Sequence, residues 1–241
     1  MNILALETID LSASVTLLEN DREKKTILLP SDQRSTQTLV PAVGELLAAE
    51  GWQPEEVDVV ALAQGPGSFT GLRVGMTFAK TFAYAAGAKL VALNTLEVIA
   101  QGTPSEFQTL SVILDAQRNE LVTEDFHFQE GKWRPISEMR LLPWEEWLQH
   151  LSPDMAVTGP ILRRKAKQLP ADVIVVPERF WHPSTVVLGQ MAYEKSLRGE
   201  FSDLWNTLPF YSRLAAAEER KKSLSTQAGY LPKTSTNGRM G

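Results

Sequence analysis

The chain has 241 residues, of which 43% are hydrophobic and 22% charged, and its formal net charge is −5. That length suits one large domain or two smaller ones, and the composition is that of a soluble globular protein. Because the sequence contains no cysteine, disulfides, thiolate metal sites and a cysteine nucleophile are excluded. The negative charge argues against independent nucleic-acid binding, which a basic surplus usually accompanies.

The first half of the sequence predicts three strands followed by alternating helices and strands. Apolar runs and alternating patterns place strands at residues 2–7, 12–19, 25–29, 57–63 and 89–93. Helical patterns cover residues 36–50 and 72–86, and a further helix begins at 94–100. The order is βββαβαβ.

The second half repeats that order imperfectly. It predicts strands at 110–115, 120–128, 132–138, 155–158 and 173–176, and helices at 144–151, 161–168 and 184–198. Each half opens on a strand that ends with an acid, Glu7 or Asp115. We therefore predict a duplicated α/β fold of the actin, hexokinase and Hsp70 class, with halves at 1–104 and 105–222. Residues 223–241 are rich in Ser, Thr, Gly, Lys and Gln, which predicts a disordered tail.

The stretch 64–75, QGPGSFTGLRVG, joins a buried strand to a helix. Its glycines and Pro66 fix the path of the loop, and Ser68 and Thr70 can cap the helix. The free N–H groups at such a helix start favour an anion, but the spacing matches neither a dinucleotide fingerprint nor a P-loop. The candidate loop residues are Gly65, Pro66, Gly67, Ser68, Phe69, Thr70, Gly71, Arg73 and Gly75.

The helix that follows is apolar around most of its girth. Its polar residues form one narrow stripe, at Arg73, Thr77, Lys80, Thr81 and Tyr84. Such a helix must be covered on most sides, either by its own α/β core or by a second protein. For the second case the candidate interface residues are Met76, Phe78, Ala79, Lys80, Phe82 and Ala83.

The glycine stretch, the following Lys80 and the sequence Asn94-Thr95-Leu96-Glu97 together resemble the TsaB family. That family is the non-catalytic partner of TsaD in the bacterial synthesis of threonylcarbamoyladenosine in tRNA. The resemblance extends more thinly from Ile3 to about Glu219.

The resemblance implies a scaffold subunit that dimerises with a TsaD-like subunit through its first half. The resemblance implies that the interface consists of the glycine loop, the helix after it and the helix at 39–50. Alternatively, it implies that the loop lies next to a nucleotide. It further implies a TsaE-like ATPase in a larger complex, a homodimer when the chain is alone, and tRNA held indirectly. Since no apolar run of 18 residues occurs, we expect a cytoplasmic protein without membrane contact.

Enzymes of the actin class hold nucleotide between two hairpins, which here correspond to residues 7–10 and 115–119. Neither hairpin contains a glycine, so backbone N–H groups cannot easily close around phosphates. Glu7, Thr8 and Asp115 remain as vestigial phosphate-loop candidates. We therefore predict no catalytic residue, no metal and no cofactor bound by the chain alone, with ATP or ADP confined to the interface of the complex.

Two alternatives stay open at this point. A nucleotide-dependent phosphotransferase or a peptidase of the actin-like superfamily is the alternative function, although Ser68 has no histidine near it in sequence. Arg163, Arg164 and Lys165 lie on one basic helix, which is either a solvated face or a patch that contacts tRNA phosphates.

Overall fold

The computed structural model describes residues 1–9, 13–30 and 35–212, without the side chains of residues 35 and 36. The predicted tail at 223–241 therefore lies outside the described residues. The strands are β1 (Asn2–Glu7), β2 (Ser14–Glu19), β3 (Arg22–Leu28), β4 (Val59–Gly65), β5 (Lys89–Asn94), β6 (Thr109–Asp115), β7 (Glu120–Gln129), β8 (Lys132–Pro135), β9 (Arg140–Pro143), β10 (Met155–Thr158) and β11 (Ile174–Val175). The helices are α1 (Ser35–Glu50), α2 (Phe69–Ala86), α3 (Thr95–Gly102), α4 (Trp144–Leu148), α5 (Leu162–Lys165) and α6 (Thr185–Leu197).

The first sheet has the order β3-β2-β1-β4-β5. Its central strand β1 pairs antiparallel with β2 and parallel with β4, and Leu4 lies opposite Leu17 on one side and Val60 on the other. Helices cover both faces of this strand, which explains why β1 reads as a continuous apolar run rather than an alternating one.

The second sheet repeats this arrangement in the order β11-β10-β6-β7-β8. Its strand β6 takes the place of β1, because it pairs antiparallel with β7 and parallel with β10. The predicted duplicated actin/hexokinase/Hsp70-like α/β fold is thus confirmed. No helix of the described ranges is both long and apolar enough to cross a membrane.

The helices form three layers around the two sheets. α1 and α2 pack on the outer face of the first sheet, and α4 and α5 pack on the outer face of the second. α3 and α6 lie between the sheets: Val98, Leu188 and Ala192 join the core of the first sheet, whereas Leu96 and Ile99 join that of the second. The chain therefore returns from the second sheet to the first at α6. The predicted boundary between the halves, at residue 104, stays a prediction.

Two predicted elements of the second half differ in the structure. The predicted strand 132–138 ends at Pro135, because β7 pairs with β8 over residues 126–129 and with the separate strand β9 over 120–123. The predicted basic helix 161–168 is only the single turn of α5, followed by a 3-10 turn at Ala166–Gln168.

Packing of α6 on the first sheet predicts opposite outcomes for two helical glycines. A Cβ at Gly189 would lie 2.2 Å from a methyl carbon of Leu18, which is fully buried, whereas one at Gly44 would meet nothing within 4 Å. Both Gly→Ala changes gain helix propensity of about 0.5–1 kcal/mol. We expect Gly44→Ala to stabilise the protein and Gly189→Ala to lose about 1–3 kcal/mol relative to it, through overpacking.

Chemical denaturation of the two variants measures this difference directly. Equal stabilities would contradict the close contact between α6 and β2.

Candidate functional site

The glycine loop connects the end of β4 to the start of α2 and uses Ser68 as the N-cap. The Ser68 hydroxyl accepts the N–H of Gly71 at 3.3 Å, and its carbonyl accepts the N–H of Leu72 at 2.8 Å. The predicted cap at Ser68 is confirmed, while Thr70 lies inside the first turn and is exposed. The N–H of Gly71, one of the groups that would favour an anion, is thus satisfied by the chain itself.

The glycines let α2 approach the hairpin after β1. A Cβ at Gly71 would lie 2.0 Å from the carbonyl oxygen of Thr8, and one at Gly75 would lie 2.4 Å from the Thr8 hydroxyl. The Thr8 hydroxyl donates to the Gly71 carbonyl at 2.8 Å. A Cβ at Gly67 would similarly lie 2.8 Å from the Ile9 side chain. The glycine spacing serves close packing of backbone on backbone.

The described part of the first hairpin, Glu7 to Ile9, is packed against the glycine loop and α2. Glu7 and Thr8 are 1% and 5% exposed. The Ile9 N–H donates to the Glu7 carboxylate, and the Ile9 carbonyl accepts the Ser68 N–H at 3.2 Å. Of the four residues predicted for this hairpin, Asp10 lies outside the described residues.

The second hairpin is closed by side chains. Asp115 forms an ion pair with Arg164 of α5 and also accepts the Gln117 N–H at 2.9 Å. Asn119 donates to both carboxylate oxygens of Glu145, at 2.8 and 3.0 Å, and accepts from Lys165 at 2.7 Å. Hydrogen bonds from its own backbone N–H and from Asn119 lower the pKa of Glu145.

These hydrogen bonds and ion pairs of the two hairpins do not fit a magnesium nucleotide held between the halves. Glu7 and Asp115, the carboxylates that would carry the metal, each accept a backbone N–H group of the chain, and Asp115 also pairs with Arg164. Gly159, which follows β10, packs so closely on β6 that a Cβ would lie 1.9 Å from the Ile113 carbonyl oxygen. Within the described ranges, no group of three or more His, Asp or Glu side chains could hold a metal ion.

The positive charges of the predicted basic helix also have partners within the chain. Arg163 lies 3.4 Å from the Glu178 carboxylate, Arg164 pairs with Asp115, and the Lys165 ammonium lies 5.0 Å from the Trp144 ring centroid. Their contact with tRNA stays a prediction.

Three of the predicted interface residues on α2 face the chain's own core, and for them the prediction is wrong. Met76, Ala79 and Ala83 are 5%, 0% and 1% exposed and pack on the first sheet. Phe78 and Phe82 are half-buried against the same core. Because the helix is apolar on nearly all sides, its sequence did not show which side faces inward.

Part of the exposed face of α2 carries small, uncharged side chains, and α1 presents a similar set beside it. On α2 the exposed residues include Thr77, Thr81 and Ala85, each four positions from the next. On α1 they include Val40, Gly44 and Ala48, with the same spacing. We call these six residues the two-helix face.

A segment near the C-terminus, residues 201–211, lies along the other side of α2, and we call it the C-terminal strap. The Lys80 ammonium donates to the carbonyls of Trp205 and Thr207 at 2.9 and 3.0 Å. The Phe210 N–H donates to the Gln64 carbonyl at 2.9 Å, and the Gln64 amide donates to the Leu208 carbonyl at 2.8 Å. The C-terminal strap thereby contacts the start of the glycine loop, at Gln64, and α2, at Lys80.

Aromatic contacts extend the strap to the start of α2. Phe69 and Tyr211 have ring centroids 4.7 Å apart, and the Arg73 guanidinium lies 4.0 Å from the Phe69 centroid. Arg73 also donates to the Tyr211 hydroxyl at 3.2 Å. Sequence reasoning missed the strap; one local signal was Lys80, which belongs to the narrow polar stripe of α2.

Comparison with known proteins identifies the family of this chain. The family model of TsaD, tRNA N6-adenosine threonylcarbamoyltransferase, matches residues 30–179. The TsaB protein of Haemophilus influenzae is 33% identical over 167 residues, which are 65% of this chain and 70% of that protein. The chain belongs to the TsaB family. The TsaB protein of Bacillus subtilis is 27% identical over 228 residues, 91% of this chain and 97% of that protein.

Solved structures agree with the assignment. YeaZ from Pseudomonas aeruginosa superposes with a TM-score of 0.74 at 25% identity, covering 87% of this chain and 99% of that one. The relatives named TsaB are described as tRNA threonylcarbamoyladenosine biosynthesis proteins.

In this TsaB-family chain, the two hydrogen bonds of Lys80 predict that Lys80→Met loosens the C-terminal strap. Hydrogen bonds to a charged group contribute about 1.5–3 kcal/mol, so amide exchange at Thr207 and Phe210 should accelerate about tenfold or more. Hydrogen exchange measured by mass spectrometry or NMR tests this.

The matched control is Lys167→Met, on an exposed lysine of the second half. Unchanged protection of the strap in Lys80→Met would show that other contacts hold it.

Proposed function

We propose that this chain is a non-catalytic subunit in the synthesis of threonylcarbamoyladenosine in tRNA, and that it binds and activates a TsaD-like transferase through the two-helix face. The observation that carries the proposal is this pair of neighbouring helical surfaces, small and free of charge. Membership of the TsaB family supports the pathway.

The chemistry of the two-helix face suits the packing of helix on helix. Small side chains at four-residue spacing allow the axes of two helices to approach closely. A Cβ added at Gly44 would meet nothing within 4 Å, so this position is open to a partner. A standard interface hides about 800 Å² on each partner, which two helices can supply. The charged residues Glu45 and Arg73 are exposed near the edges of the face.

The partner's fold supports the choice of surface. The TsaD family model matches residues 30–179, a range that contains α1 and α2, so the partner carries elements of the same type. Two chains of one fold can meet through equivalent faces, as the subunits of a symmetric dimer do. The same rule predicts that the chain forms a homodimer when the partner is absent.

The hairpin contacts support placing the chemistry elsewhere in the complex. Asp115 faces Arg164, and the backbone of the first hairpin contacts α2, so a nucleotide would have to displace contacts within the chain. In the proposal, ATP or ADP binds at the interface between the subunits, a TsaE-like ATPase joins the larger complex, and other subunits hold the tRNA in the cytoplasm.

A charge placed on the two-helix face should abolish the pairing without unfolding the chain. Ala48→Glu and Thr81→Glu would each bury an unpaired carboxylate between the subunits. We expect the dissociation constant for the TsaD-like subunit to rise about a hundredfold or more, which corresponds to about 3 kcal/mol. Isothermal titration calorimetry on the purified pair measures this.

The matched control is Ala171→Glu, an exposed alanine in the second half. Circular dichroism should show all three variants folded. Normal binding by both face variants would place the interface elsewhere.

The isolated chain should turn over neither ATP nor peptides, which tests the alternative phosphotransferase or peptidase function. Hydrolysis faster than about 1 s⁻¹, within the ordinary range of enzymes, and lost in Asp115→Ala would overturn the non-catalytic assignment. The Asp115→Ala variant, purified in the same way, provides the background rate.

A further inference from the structure

Glu124 lies in an apolar layer between the second sheet and α3. Alternate side chains of β7 point to opposite faces, so Glu124 shares its face with Val122 and Phe126, which pack against Leu96 and Ile99 of α3. Glu124 is only 8% exposed, and its Oε2 atom has no hydrogen-bond partner in the structure. A charged carboxylate at such a place would lack the compensation that buried charges normally have.

The strand pairing explains why an acid is tolerated there. β9 covers the edge of β7 as far as Thr123, and β8 covers it from Phe126. Residues 124 and 125 lie in the gap between the two strands, where the Asp125 carbonyl accepts the Ile136 N–H at 2.8 Å. Glu124 therefore sits where the sheet edge is interrupted.

A second carboxylate faces this layer from α3. Glu97 is half-buried and accepts no hydrogen bond from the described residues, and its charge acts on Glu124. It lines a cleft of about 720 Å³ between α3, α6 and the β7–β8 hairpin. Two carboxylates in one poorly solvated layer cannot both be charged without mutual repulsion.

The surrounding cations are engaged elsewhere. Lys195 of α6 acts on Glu97, but its ammonium also lies 3.4 Å from Glu200. Lys132 of β8 pairs with Glu194 of α6 across the cleft.

Among the described residues, the other charged groups near this layer form no ion pair with Glu124. Asp125 points to the opposite face of β7 and pairs with Arg140 of β9 at 3.1 Å. Arg134 of β8 lines the cleft, and its side chain is exposed. The part of β6 opposite Glu124 contributes only Val112 and its apolar neighbours.

We propose that Glu97 and Glu124 form a proton-dependent lock between α3 and the second sheet. A proton held by the pair removes the repulsion and allows both side chains to stay in the layer. Loss of that proton leaves two facing carboxylates, which weakens the packing of α3 and loosens the cleft.

The direction of titration agrees with this geometry. Burial first, and then the charges of Glu97 and Asp125, raise the pKa of Glu124 to about 7. Burial also raises the pKa of Glu97, against the opposing effect of Lys195. Between the ordinary pKa of a glutamate, 4.5, and about 7, the folded chain binds more protons at Glu124 than the unfolded chain does. Stability from this site is therefore full at the lower pH and falls as the pH rises through that window.

Thermal unfolding as a function of pH tests the proposal. Glu124→Gln keeps the size of the side chain and mimics the protonated acid. The Tm of both proteins is measured at pH 5 and pH 8. From the lower to the higher pH, we expect the Tm of the wild type to fall by about 3 °C or more beyond the fall in Glu124→Gln. The matched control is Glu55→Gln, an exposed glutamate, which should follow the wild type.

Hydrogen exchange distinguishes a lock from a purely local titration. At pH 8, amides of residues 95–102 should exchange faster in the wild type than in Glu124→Gln. Comparison at one pH removes the intrinsic pH dependence of exchange. Parallel Tm curves, or equal exchange of α3 in the two proteins, would overturn the proposal.

Should Glu124→Gln fail to fold, infrared spectroscopy of the wild type decides the question. A carbonyl band of a protonated carboxylic acid that persists at pH 6 and disappears by pH 8 supports the lock. Its absence at pH 6 overturns it.

Discussion

The N-terminal turn of α2 lies so close to the hairpin after β1 that no side chain fits between them. The carbonyl oxygen of Thr8 occupies the space that a Cβ of Gly71 would need, and the Thr8 hydroxyl donates to the carbonyl of the same glycine. This contact fixes the height and the rotation of the helix on the sheet. Leu72, Met76 and Ala79 then point into the core, and the threonines four residues apart point outward.

The same contact changes what the hairpin can do. In a nucleotide-binding protein of this fold, the space between the hairpins has to be open to phosphate. Here the glycine loop packs on Thr8 and Ile9 of the first hairpin, and Asp115 of the second hairpin pairs with Arg164. Exposed ion pairs contribute only about 0–1 kcal/mol to stability, so the pair matters less for stability than for occupying the carboxylate that would hold a metal.

Much of the fold could be predicted because its central strands are buried on both faces. β1, β4 and β6 are apolar runs whose flanking turns mark their ends, and β6 repeats the acid-terminated pattern of β1. β9 escaped prediction because it is a strand of four residues whose place depends on the free edge of β7.

The candidate site was predictable in position but not in orientation. The glycine spacing located the loop and its helix, yet α2 carries alanines on both its buried and its exposed sides, so periodicity could not assign its faces. The strap could not be predicted at all. Lys80 binds backbone carbonyls that lie 125 and 127 residues away, and a carbonyl has no signature in the sequence.

The layered arrangement separates the surface for the partner from the elements that join the two halves. The two-helix face lies on the outer layer of the first sheet, whereas α3 and α6 lie between the sheets. The first sheet, α3 and α6 separate a partner on the outer face from the second sheet. Tight packing transmits a displacement of the first sheet to the layer beneath it, because close-packed interiors have low compressibility. Glu124 departs from the apolar contacts of that layer, since its Oε2 atom is buried without a hydrogen-bond partner. If Glu97 and Glu124 form the proposed lock, coupling that passes from the partner surface through α3 to the second half depends on a proton.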